Sequence, residues 1–288
     1  MRLFTLVVAL VLVFTSCGSS PAPEGGGVAA PTGSKPTASK APVPGQIPVE
    51  KRVVVKFPDG TVDEFTLSEY DPSDITLLGQ NRFSASGGLM DQIEYTYDEE
   101  KKVITTKLTK DEENRLKSRI VYINDENTGR LLKESVVNKA SKVISSNEYT
   151  YNEDGNVASR AILNGNNVRL AETVYTYNGN LVVASKTQDG NGKPISSSTN
   201  DYDRDGNLVQ QVLYNAAGNI TRKISTVWQN GMEIETTQTT ADGRPQLKNT
   251  NEYGAAGELL KKTIENYQGN SVQILEFEYE FRPNRGRT

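Results

Sequence analysis

The sequence contains no histidine and only one cysteine, Cys17. The absence of histidine excludes His-dependent catalytic triads, histidine metal ligands and imidazole proton shuttles. A single cysteine excludes an intrachain disulfide and a zinc site built from thiolates. No apolar run reaches the roughly 18–20 residues that a membrane-spanning helix needs. We therefore expect a protein that is not an enzyme and that uses neither a metal nor a cofactor.

Hydrophobic residues are also scarce, and the charge is slightly negative. They make up 35% of the chain, whereas soluble domains usually contain about 45–50% on a scale that also counts glycine. The formal net charge is −4. Because a nucleic-acid-binding domain shows a basic footprint, this balance predicts no nucleic-acid partner.

The first residues have the pattern of a secretory signal peptide. Arg2 precedes an apolar run over 3–14, which is too short to span a membrane. The tract Phe14-Thr15-Ser16-Cys17 resembles the lipobox of bacterial lipoproteins, with Phe14 at the position where leucine is usual. The resemblance implies that the signal over 1–16 is removed and that Cys17 receives acyl chains, palmitate among them, which anchor the protein in a membrane. The alternative is a signal peptide that is cleaved elsewhere, with Cys17 incidental.

The segment 17–48 is rich in Gly, Ser, Pro, Ala and Thr and contains no aromatic residue. Such a composition cannot bury enough apolar surface to offset its ordering entropy, so we expect a disordered, flexible tether. Gly18 stands where lipoproteins of enteric bacteria carry the aspartate that retains them in the inner membrane. Because that aspartate is absent, we expect the protein in the outer membrane, at its surface or its periplasmic face.

From about residue 88 onward the sequence repeats itself. The clearest copies are Tyr151–Val157, Tyr202–Leu208, Tyr214–Ile220 and Tyr253–Leu259, with a contracted copy at Tyr177–Leu181. Alternate turns define a longer unit of about 24–27 residues. Asp-Gly, Asn-Gly and Gly-Asn pairs supply the positive φ angles of tight hairpin turns, and the Tyr, Val, Ile and Thr between them favour strands. The turn glycines are Gly155, Gly165, Gly179, Gly192, Gly206, Gly218, Gly231, Gly243, Gly257 and Gly269.

Because short connections require antiparallel neighbours, this pattern predicts an all-β fold. We expect an elongated, twisted antiparallel β-meander, forming an open or half-barrel-like sheet, built from strand-turn repeats of about 12–14 residues. The β-domain covers 49–288, with an irregular N-terminal part over 49–87, the meander over 88–281 and a basic tail over 282–288. Protection of the last edge strand is expected from the tail residues Arg282, Arg285 and Arg287.

Two segments outside the clear copies also give local predictions. Val53–Phe57 and Val62–Leu67 flank Pro58-Asp59-Gly60 and predict a hairpin. The charge and propensity of Thr109–Arg119 are compatible with a helix. We prefer a turn at Glu112-Glu113-Asn114, because the following residues line up with the Gly-Asn-Leu position of the repeat.

The repeated tyrosine, glycine and asparagine pattern resembles the YD (Rhs-type) repeat of bacterial secreted and surface proteins, over about residues 88–270. Complete YD arrays curl into large β-shells around toxin cargo. This array is far too short for such a shell, has no toxin domain and often carries Asn in place of Asp. The resemblance therefore implies only the strand-turn-strand architecture.

One acidic segment, Asp201-Tyr202-Asp203-Arg204-Asp205-Gly206, matches the first half of an EF-hand calcium loop. Position 12 of that loop would be Val212, where a bidentate glutamate is required, and the flanking segments have strand patterns. We interpret the segment as an Asx-rich hairpin turn and predict no metal site.

The tyrosines supply the candidate binding residues. Tyr149, Tyr151, Tyr175, Tyr177 and Tyr202 are the tyrosines expected to line one face, where aromatic rings can stack on a glycan or contact a protein. The alternative is that these tyrosines are the cross-strand packing of the sheet itself. Trp228, the only tryptophan, is a further candidate contact residue, and its alternative role is a core plug.

These features together predict a lipid-anchored cell-envelope or surface protein that acts as a non-enzymatic binding or interaction module for a glycan or protein ligand. One alternative is a periplasmic carrier of lipids or lipoproteins, with an open half-barrel and an apolar concave face. The stretches Glu235–Thr240 and Leu259–Thr263, which place polar residues on both faces, argue against a carrier. The other alternative is a structural envelope spacer.

Overall fold

The computed structural model describes residues 46–98 and 103–283, and all strands in these ranges belong to one antiparallel sheet. Each strand pairs with the strands before and after it in the chain. The strands are β1 Gln46–Lys56, β2 Val62–Tyr70, β3 Leu77–Ser84, β4 Leu89–Tyr97, β5 Ile104–Asp111, β6 Leu116–Asn124, β7 Leu131–Val137, β8 Val143–Tyr151, β9 Val157–Asn164, β10 Arg169–Asn178, β11 Leu181–Asp189, β12 Pro194–Tyr202, β13 Leu208–Asn215, β14 Ile220–Gln229, β15 Met232–Thr240, β16 Pro245–Tyr253, β17 Leu259–Asn266 and β18 Ser271–Pro283.

The sheet is closed, which corrects the prediction of an open or half-barrel-like meander. The last strand pairs with the first from Gln46 opposite Pro283 to Lys56 opposite Ile274. The meander itself is confirmed, but its ends meet in an 18-stranded antiparallel barrel. Closure pairs the backbone groups that an open sheet would expose at its two edges.

The strand registers define the geometry of the closed ring. Following directly opposed residues once around the ring returns to β1 about 18 residues further along, so the shear about equals the strand number. Such a barrel has strands tilted by roughly 35–40°. With strands about 4.8 Å apart, a round ring of this kind has a backbone diameter of roughly 30–35 Å, too wide for side chains to fill.

The hairpin turns show why this sequence makes short connections. In the turn between β8 and β9, Gly155 has φ 82° and donates its N–H to the carbonyl of Asn152. The side chain of Asn152 accepts the N–H of Asn156 at 2.8 Å. Most of the predicted turn glycines have positive φ, but Gly165 and Gly269 do not. At those two turns Asn167 (φ 61°) and Asn270 (φ 45°) take the left-handed conformation instead.

A ladder of hydrogen bonds joins eight of the even-numbered strands to the odd-numbered strand before them. In eight hairpins, a side chain near the end of the even strand donates to the backbone carbonyl of the residue 20 positions earlier, at 2.6–3.0 Å. These bonds run from Tyr70 to Glu50, Tyr97 to Leu77, Asn124 to Ile104, Tyr151 to Leu131, Tyr177 to Val157, Tyr202 to Val182, Trp228 to Leu208 and Tyr253 to Glu233. In the ninth hairpin, Tyr279 of β18 holds the equivalent position, 20 residues after Leu259 of β17. We call the eight hydrogen-bonded side chains together with Tyr279 the ladder, and their side of the sheet the ladder face. The described strands thus form nine hairpins.

The barrel has little packed core. Among the described residues, no large side chain is fully buried, and the buried hydrophobic residues are small or medium in size. They are Val49, Val54, Val137, Ala161, Leu163 and Val212. Each strand contacts only its two hydrogen-bonded neighbours. The low hydrophobic content is consistent with a ring that is held by strand pairing and cross-strand contacts.

The N-terminal part of the β-domain is as regular as the rest. The segment 49–87 contributes most of β1 and all of β2 and β3, and β1 begins at Gln46, before the boundary predicted at 48. The predicted hairpin around Pro58-Asp59-Gly60 is confirmed as β1–β2, and the preferred turn at Glu112-Glu113-Asn114 is confirmed between β5 and β6, where Asn114 has φ 63°.

The predicted edge protection by the basic tail is wrong for Arg282. This residue lies in β18 and donates from Nη1 to the carbonyls of Asp71 (2.7 Å) and Asp74 (2.8 Å) in the loop after β2. Its guanidinium also lies 5.2 Å from the ring centroid of Tyr70. It therefore strengthens the seam of a closed ring. Arg285 and Arg287 lie outside the described residues.

In the part of the chain that the structure describes, no helix is long and apolar enough to cross a membrane.

Candidate functional site

The six candidate binding residues lie on one face of the sheet. Tyr149 and Tyr151 are on β8, Tyr175 and Tyr177 on β10, Tyr202 on β12 and Trp228 on β14. They share the ladder face because they lie on alternate positions of even strands and at equivalent places in successive hairpins. Cys17, the predicted lipidation site, lies outside the described residues.

Four of the six candidates serve the sheet itself. Tyr151, Tyr177, Tyr202 and Trp228 are ladder members, and their polar groups donate to backbone carbonyls at 2.7–2.9 Å. Burial raises the pKa of Tyr151 and Tyr177 above the usual tyrosine value, so both hydroxyls remain protonated donors at neutral pH. For these residues the structure supports the alternative of cross-strand packing. Trp228 is half-buried at a tyrosine position of the repeat and is not a core plug.

The other two candidates belong to a second row, two residues before the ladder positions. It consists of Tyr95 on β4, Tyr122 on β6, Tyr149 on β8 and Tyr175 on β10, and we call it the tyrosine row. All four side chains are partly exposed. Sequence reasoning did not select Tyr95 and Tyr122 as contact residues. The Tyr-x-Tyr spacing could have indicated Tyr95. It could not have indicated Tyr122, because the ladder position two residues later is Asn124.

Polar residues on the odd strands lie opposite the tyrosine row. Lys107 faces Tyr95, Glu134 faces Tyr122, Arg160 faces Tyr149 and Ser185 faces Tyr175. The Lys107 ammonium lies 5.8 Å from the centroid of the Tyr95 ring. The surface therefore alternates aromatic rings with a cation, an anion, a second cation and a hydroxyl.

Glu134 is the hydrogen-bonding centre of this surface. Its Oε1 accepts the Tyr149 hydroxyl at 2.9 Å and the Asn147 side-chain amide at 2.7 Å. Arg160 donates from Nε and Nη2 to the Asn147 Oδ1 at 3.2 and 3.1 Å. Burial, followed by the bond to the Glu134 carboxylate, raises the pKa of Tyr149 well above its usual range. This chain of bonds fixes the middle of the row in one arrangement.

The hydroxyls at two row positions are available to a ligand. Within residues 46–98 and 103–283, no hydrogen bond involves the hydroxyl of Tyr122 or of Tyr175. Tyr95 donates to Gln80 Oε1 at a long 3.3 Å. Burial raises the pKa of Tyr95 and of Tyr122, so both hydroxyls stay neutral at physiological pH and can donate or accept.

The acidic segment beginning at Asp201 forms a hairpin turn, as interpreted from sequence. Asp203 Oδ1 accepts the N–H groups of Asp205 and Asn207, each at 2.9 Å, between β12 and β13. The side-chain amide of Asn207, which donates to Asp203 Oδ2 at 2.9 Å, lowers the pKa of Asp203 most, and the backbone bonds add to this effect. In the described ranges, no group of three or more Asp, Glu, Cys or His side chains is arranged to hold a metal ion.

Two shallow clefts lie away from the tyrosine row. One, of about 330 Å³, is lined by residues of two neighbouring turns, including Asn138, Lys142 and Asn164. The other, of about 300 Å³, lies between Pro72 and Arg282 at the seam. Both have mainly polar walls, so neither resembles an apolar small-molecule pocket.

No protein-family model matches this sequence, and no curated protein is similar to it. Among solved structures, a porin-like protein from Bacteroides vulgatus is similar over 80% of this chain and 98% of that chain, with 10% identity and a TM-score of 0.34. A porin-like protein from Bacteroides uniformis is similar over 80% of this chain and 96% of that chain, with 9% identity and a TM-score of 0.28. At TM-scores below 0.5 these similarities do not bear on what this chain does.

Proposed function

We propose that this chain is a lipid-anchored protein of the bacterial cell envelope whose barrel binds a ligand without chemical turnover. The observation that carries the proposal is the tyrosine row. It gathers four tyrosines across β4 to β10, although the ladder already supplies the side chains that tie each hairpin together. Surplus aromatic residues on a partly exposed, polar-lined face are typical of a binding surface.

The distribution of charge supports a barrel that lies in water. On the ladder face, Arg82 pairs with Glu64 at 3.0 Å, within β2 and β3. On the opposite face, Lys133 pairs with Glu148 at 2.9 Å. A barrel embedded in lipid needs an apolar outer band about 25 Å tall, and a charge at its midplane costs about 2–4 kcal/mol.

The composition of β15 also supports a barrel that lies in water, independently of the ion pairs. Glu235–Thr240, in β15, contributes only glutamate, threonine and glutamine, to both faces. Neither face can therefore form a continuous apolar band around the ring. The same polar stretch, together with closure of the sheet, removes the basis for a lipid carrier with an open, apolar half-barrel.

The proposed membrane attachment is then the lipid on Cys17, with the barrel held in the aqueous phase by the segment before β1. The outer membrane is the proposed location, because Gly18 follows the cysteine. Incorporation of a palmitate analogue by cells should disappear in Cys17→Ala. Labelling that persists in this variant would contradict the anchor.

Ligand binding is tested with the full chain carrying Cys17→Ser. This variant has no lipid on residue 17, so the protein cannot associate with envelopes by inserting that lipid into the membrane. We expect saturable binding of the labelled protein to isolated cell envelopes. The double variant Tyr122→Ala/Tyr175→Ala should reduce binding about tenfold or more, since buried aromatic contacts dominate binding surfaces. The matched control is Thr226→Ala, at the equivalent row position on β14, which should bind like the parent.

Binding that is unaffected by the double variant would contradict the assigned surface. Absence of saturable binding in the parent would contradict the binding function and favour the structural spacer. Both variants must show the thermal unfolding of the parent, which separates loss of a contact from loss of fold.

A further inference from the structure

One rim of the barrel combines exposed aliphatic side chains with lysines, and we infer that it contacts an anionic phospholipid surface. The rim is formed by the turns after β7, β9 and β11 together with the first residues of β8, β10 and β12, and we call it the basic rim. Because the strands are antiparallel, all turns that follow odd-numbered strands lie at this end of the barrel. The tyrosine row lies near the other end of the same strands, so the two surfaces are separate.

β-Bulges place the aliphatic side chains at the basic rim. The strand registers skip Ile144 between β7 and β8, Leu170 between β9 and β10, and Ile195 between β11 and β12. Each is the second residue of its strand, and the three are 55%, 51% and 45% exposed. Val168, in the turn before Leu170, is 56% exposed. Since a bulge re-aims a side chain, three consecutive hairpins present an aliphatic residue in the same way.

The fold does not require an aliphatic residue at these bulges. The residues that the registers skip at the same place in other hairpins are Asp63, Met90, Lys117, Thr221 and Gln246. Among them only Met90 is apolar, and it is half-buried. The exposed aliphatic side chains are therefore confined to one sector of the rim, and a contact outside the barrel explains them better than the closure of the turns.

Lysines surround this aliphatic cluster. Lys139 and Lys142 lie in the turn after β7 and Lys193 in the turn after β11, and all three are exposed. Within residues 46–98 and 103–283, none of the three forms an ion pair. The one acidic side chain in the turns of the basic rim, Asp189, accepts two N–H groups of its own turn at 2.9 Å. The rim therefore presents positive charge that no neighbouring carboxylate neutralises.

The opposite rim has the reverse charge. In the turns after β6, β8, β10 and β12 it carries the acidic residues Asp125, Glu126, Glu153, Asp154, Asp203 and Asp205 and the basic residues Arg130 and Arg204. An anionic surface thus attracts one end of this part of the barrel and repels the other.

The proposed anchor allows the basic rim to reach the membrane that holds the lipid. β1 begins at Gln46, opposite Pro283, at the end of the barrel away from the basic rim. Residues 18–45 separate Cys17 from Gln46 and can span up to about 90 Å. Tilted strands of this length give a barrel height of only roughly 20–25 Å. The barrel can therefore stand on its basic rim on the same membrane, with its strands in water and its turns among the headgroups.

The composition of the basic rim favours a lipid surface over other partners. Protein interfaces are enriched in aromatic residues and arginine and depleted in lysine, whereas the turns 138–142, 164–168 and 189–193 contain lysine and neither aromatic residues nor arginine. A nucleic acid would use the lysines but not the aliphatic side chains. At a membrane surface both are used, because lysines attract the lipid phosphates and aliphatic side chains enter the boundary between headgroups and acyl chains.

The test measures the contact locally, by fluorescence quenching. Trp228 is the only tryptophan and lies near the opposite rim, so the full chain carrying Cys17→Ser, Trp228→Phe and Ile195→Trp reports on the basic rim alone. Vesicles of phosphatidylcholine and phosphatidylglycerol with brominated acyl chains should quench this tryptophan, and vesicles of phosphatidylcholine alone should not. The matched control is the Cys17→Ser chain with Trp228 and Ile195 unchanged, in which Trp228 should stay unquenched.

Two charge variants in this background have the same net charge and test the position of the contact. Lys139→Gln/Lys193→Gln should weaken vesicle binding at least about tenfold, since each lysine at an anionic surface contributes a factor of about five. Lys51→Gln/Arg204→Gln removes one charge from β1 and one from the opposite rim, and it should bind like the parent. All four substitutions are at exposed positions, and thermal unfolding equal to that of the parent confirms the fold.

Absence of quenching by the anionic vesicles would overturn the lipid contact, and equal weakening in both charge variants would overturn its assignment to the basic rim. If the vesicles failed to quench but Lys139→Gln/Lys193→Gln lost envelope binding, an acidic protein would be the partner instead. Tyr122→Ala/Tyr175→Ala should leave quenching unchanged, because the vesicles contain no envelope ligand. Failure of the lipid contact and failure of the proposed ligand binding are therefore separate results. Without the anchor the rim binds only at roughly millimolar lipid, so it does not replace saturable envelope binding.

Discussion

The Glu258 carboxylate fills the space beside Gly254 that an asparagine or aspartate side chain fills in other turns of the barrel. Glu258 is 4% exposed, and its Oε2 accepts the N–H of Ala256 at 2.9 Å. In the turn between β13 and β14, the equivalent N–H of Ala217 is accepted by Asn215 Oδ1 at 3.0 Å. The β16–β17 turn therefore keeps the same hydrogen bond but supplies its acceptor from the other end of the turn.

This exchange makes the two residues interdependent. Gly254→Asn alone should destabilise the protein by about 1–3 kcal/mol, because a Cβ at Gly254 would meet the Glu258 carboxyl group. Adding Glu258→Asn should recover most of that loss, since it restores the arrangement of the other turns. Urea unfolding of the parent, both single variants and the double variant measures the coupling. Additive effects of the two substitutions would contradict the exchange.

The ladder predicts that some tyrosines are structural and others are not. Tyr177→Phe removes the donor to the Val157 carbonyl, at 2.8 Å, and should lower the free energy of unfolding by about 1 kcal/mol. Tyr214→Phe is the control, because the Tyr214 hydroxyl makes only a 3.4 Å contact with Thr199, and it should change stability little. Envelope binding should be unchanged in both. Loss of binding in Tyr177→Phe with unchanged stability would assign the ladder to the ligand instead.

Closure of the barrel predicts a disulfide across the seam. Arg52 on β1 lies directly opposite Glu278 on β18, and their side chains form an ion pair at 3.2 Å. With Cys17→Ser as background, Arg52→Cys/Glu278→Cys should oxidise to an intramolecular disulfide, because opposed residues of antiparallel strands have Cα atoms about 4.5–5.5 Å apart. Free-thiol titration and non-reducing electrophoresis report the bond.

The matched control for the seam places the second cysteine at Val272. This residue lies six positions before Glu278, near the start of β18 and on the same face, and its opposed partner on β17 is Glu265. Arg52→Cys/Val272→Cys should retain both thiols in the monomer. If the two thiols of Arg52→Cys/Glu278→Cys stayed reduced under the same oxidation, the result would support an open sheet.

The carboxyl group of Glu50, beside the seam, makes the free energy of unfolding depend on pH. Burial raises the pKa of Glu50 above its usual value, and the residue lies opposite Tyr279. In the folded state the carboxyl thus holds its proton to a higher pH than in the unfolded chain, so stability is fully present below the unfolded pKa and falls as the pH rises through the folded pKa.

Glu50→Gln should therefore be more stable than the parent at pH 7 and equal to it near pH 4. A difference of about 1 kcal/mol at neutral pH would raise Tm by about 2–4 °C in a domain of this size. Thermal unfolding from pH 4 to pH 8 measures it. A parent that is the more stable of the two at pH 7 would show that the Glu50 carboxylate has a favourable partner at the seam.

Local sequence chemistry was sufficient for the turns and strands. The glycine of the Tyr202–Leu208 copy, Gly206, has φ 82°, and the repeat tyrosine before it, Tyr202, ends β12 as the alternation predicted. Gly165 shows the limit of this reasoning, because its turn places the left-handed residue two positions later, at Asn167. Asparagine tolerates that conformation almost as well as glycine, so composition alone does not say which residue adopts it.

The proposed binding surface could be predicted only in part from the sequence. Tyr149 and Tyr175 could be selected by their spacing, but the same spacing also selected Tyr151 and Tyr177, which the sheet uses for its own hydrogen bonds. Which tyrosine of each pair donates to a carbonyl depends on the register between its strand and the strand before it.

The sequence by itself determined that the described residues form an antiparallel meander of hairpins about 26 residues long, because turn chemistry and side-chain alternation act over a few neighbouring residues. Only the tertiary structure decided that the meander closes. Closure requires the offsets of all the strand pairs to add up so that β18 meets β1, and no single hairpin carries that sum. The tertiary structure likewise decided that Tyr95, Tyr122, Tyr149 and Tyr175 stand in one row, since that alignment depends on the register of the strands between them.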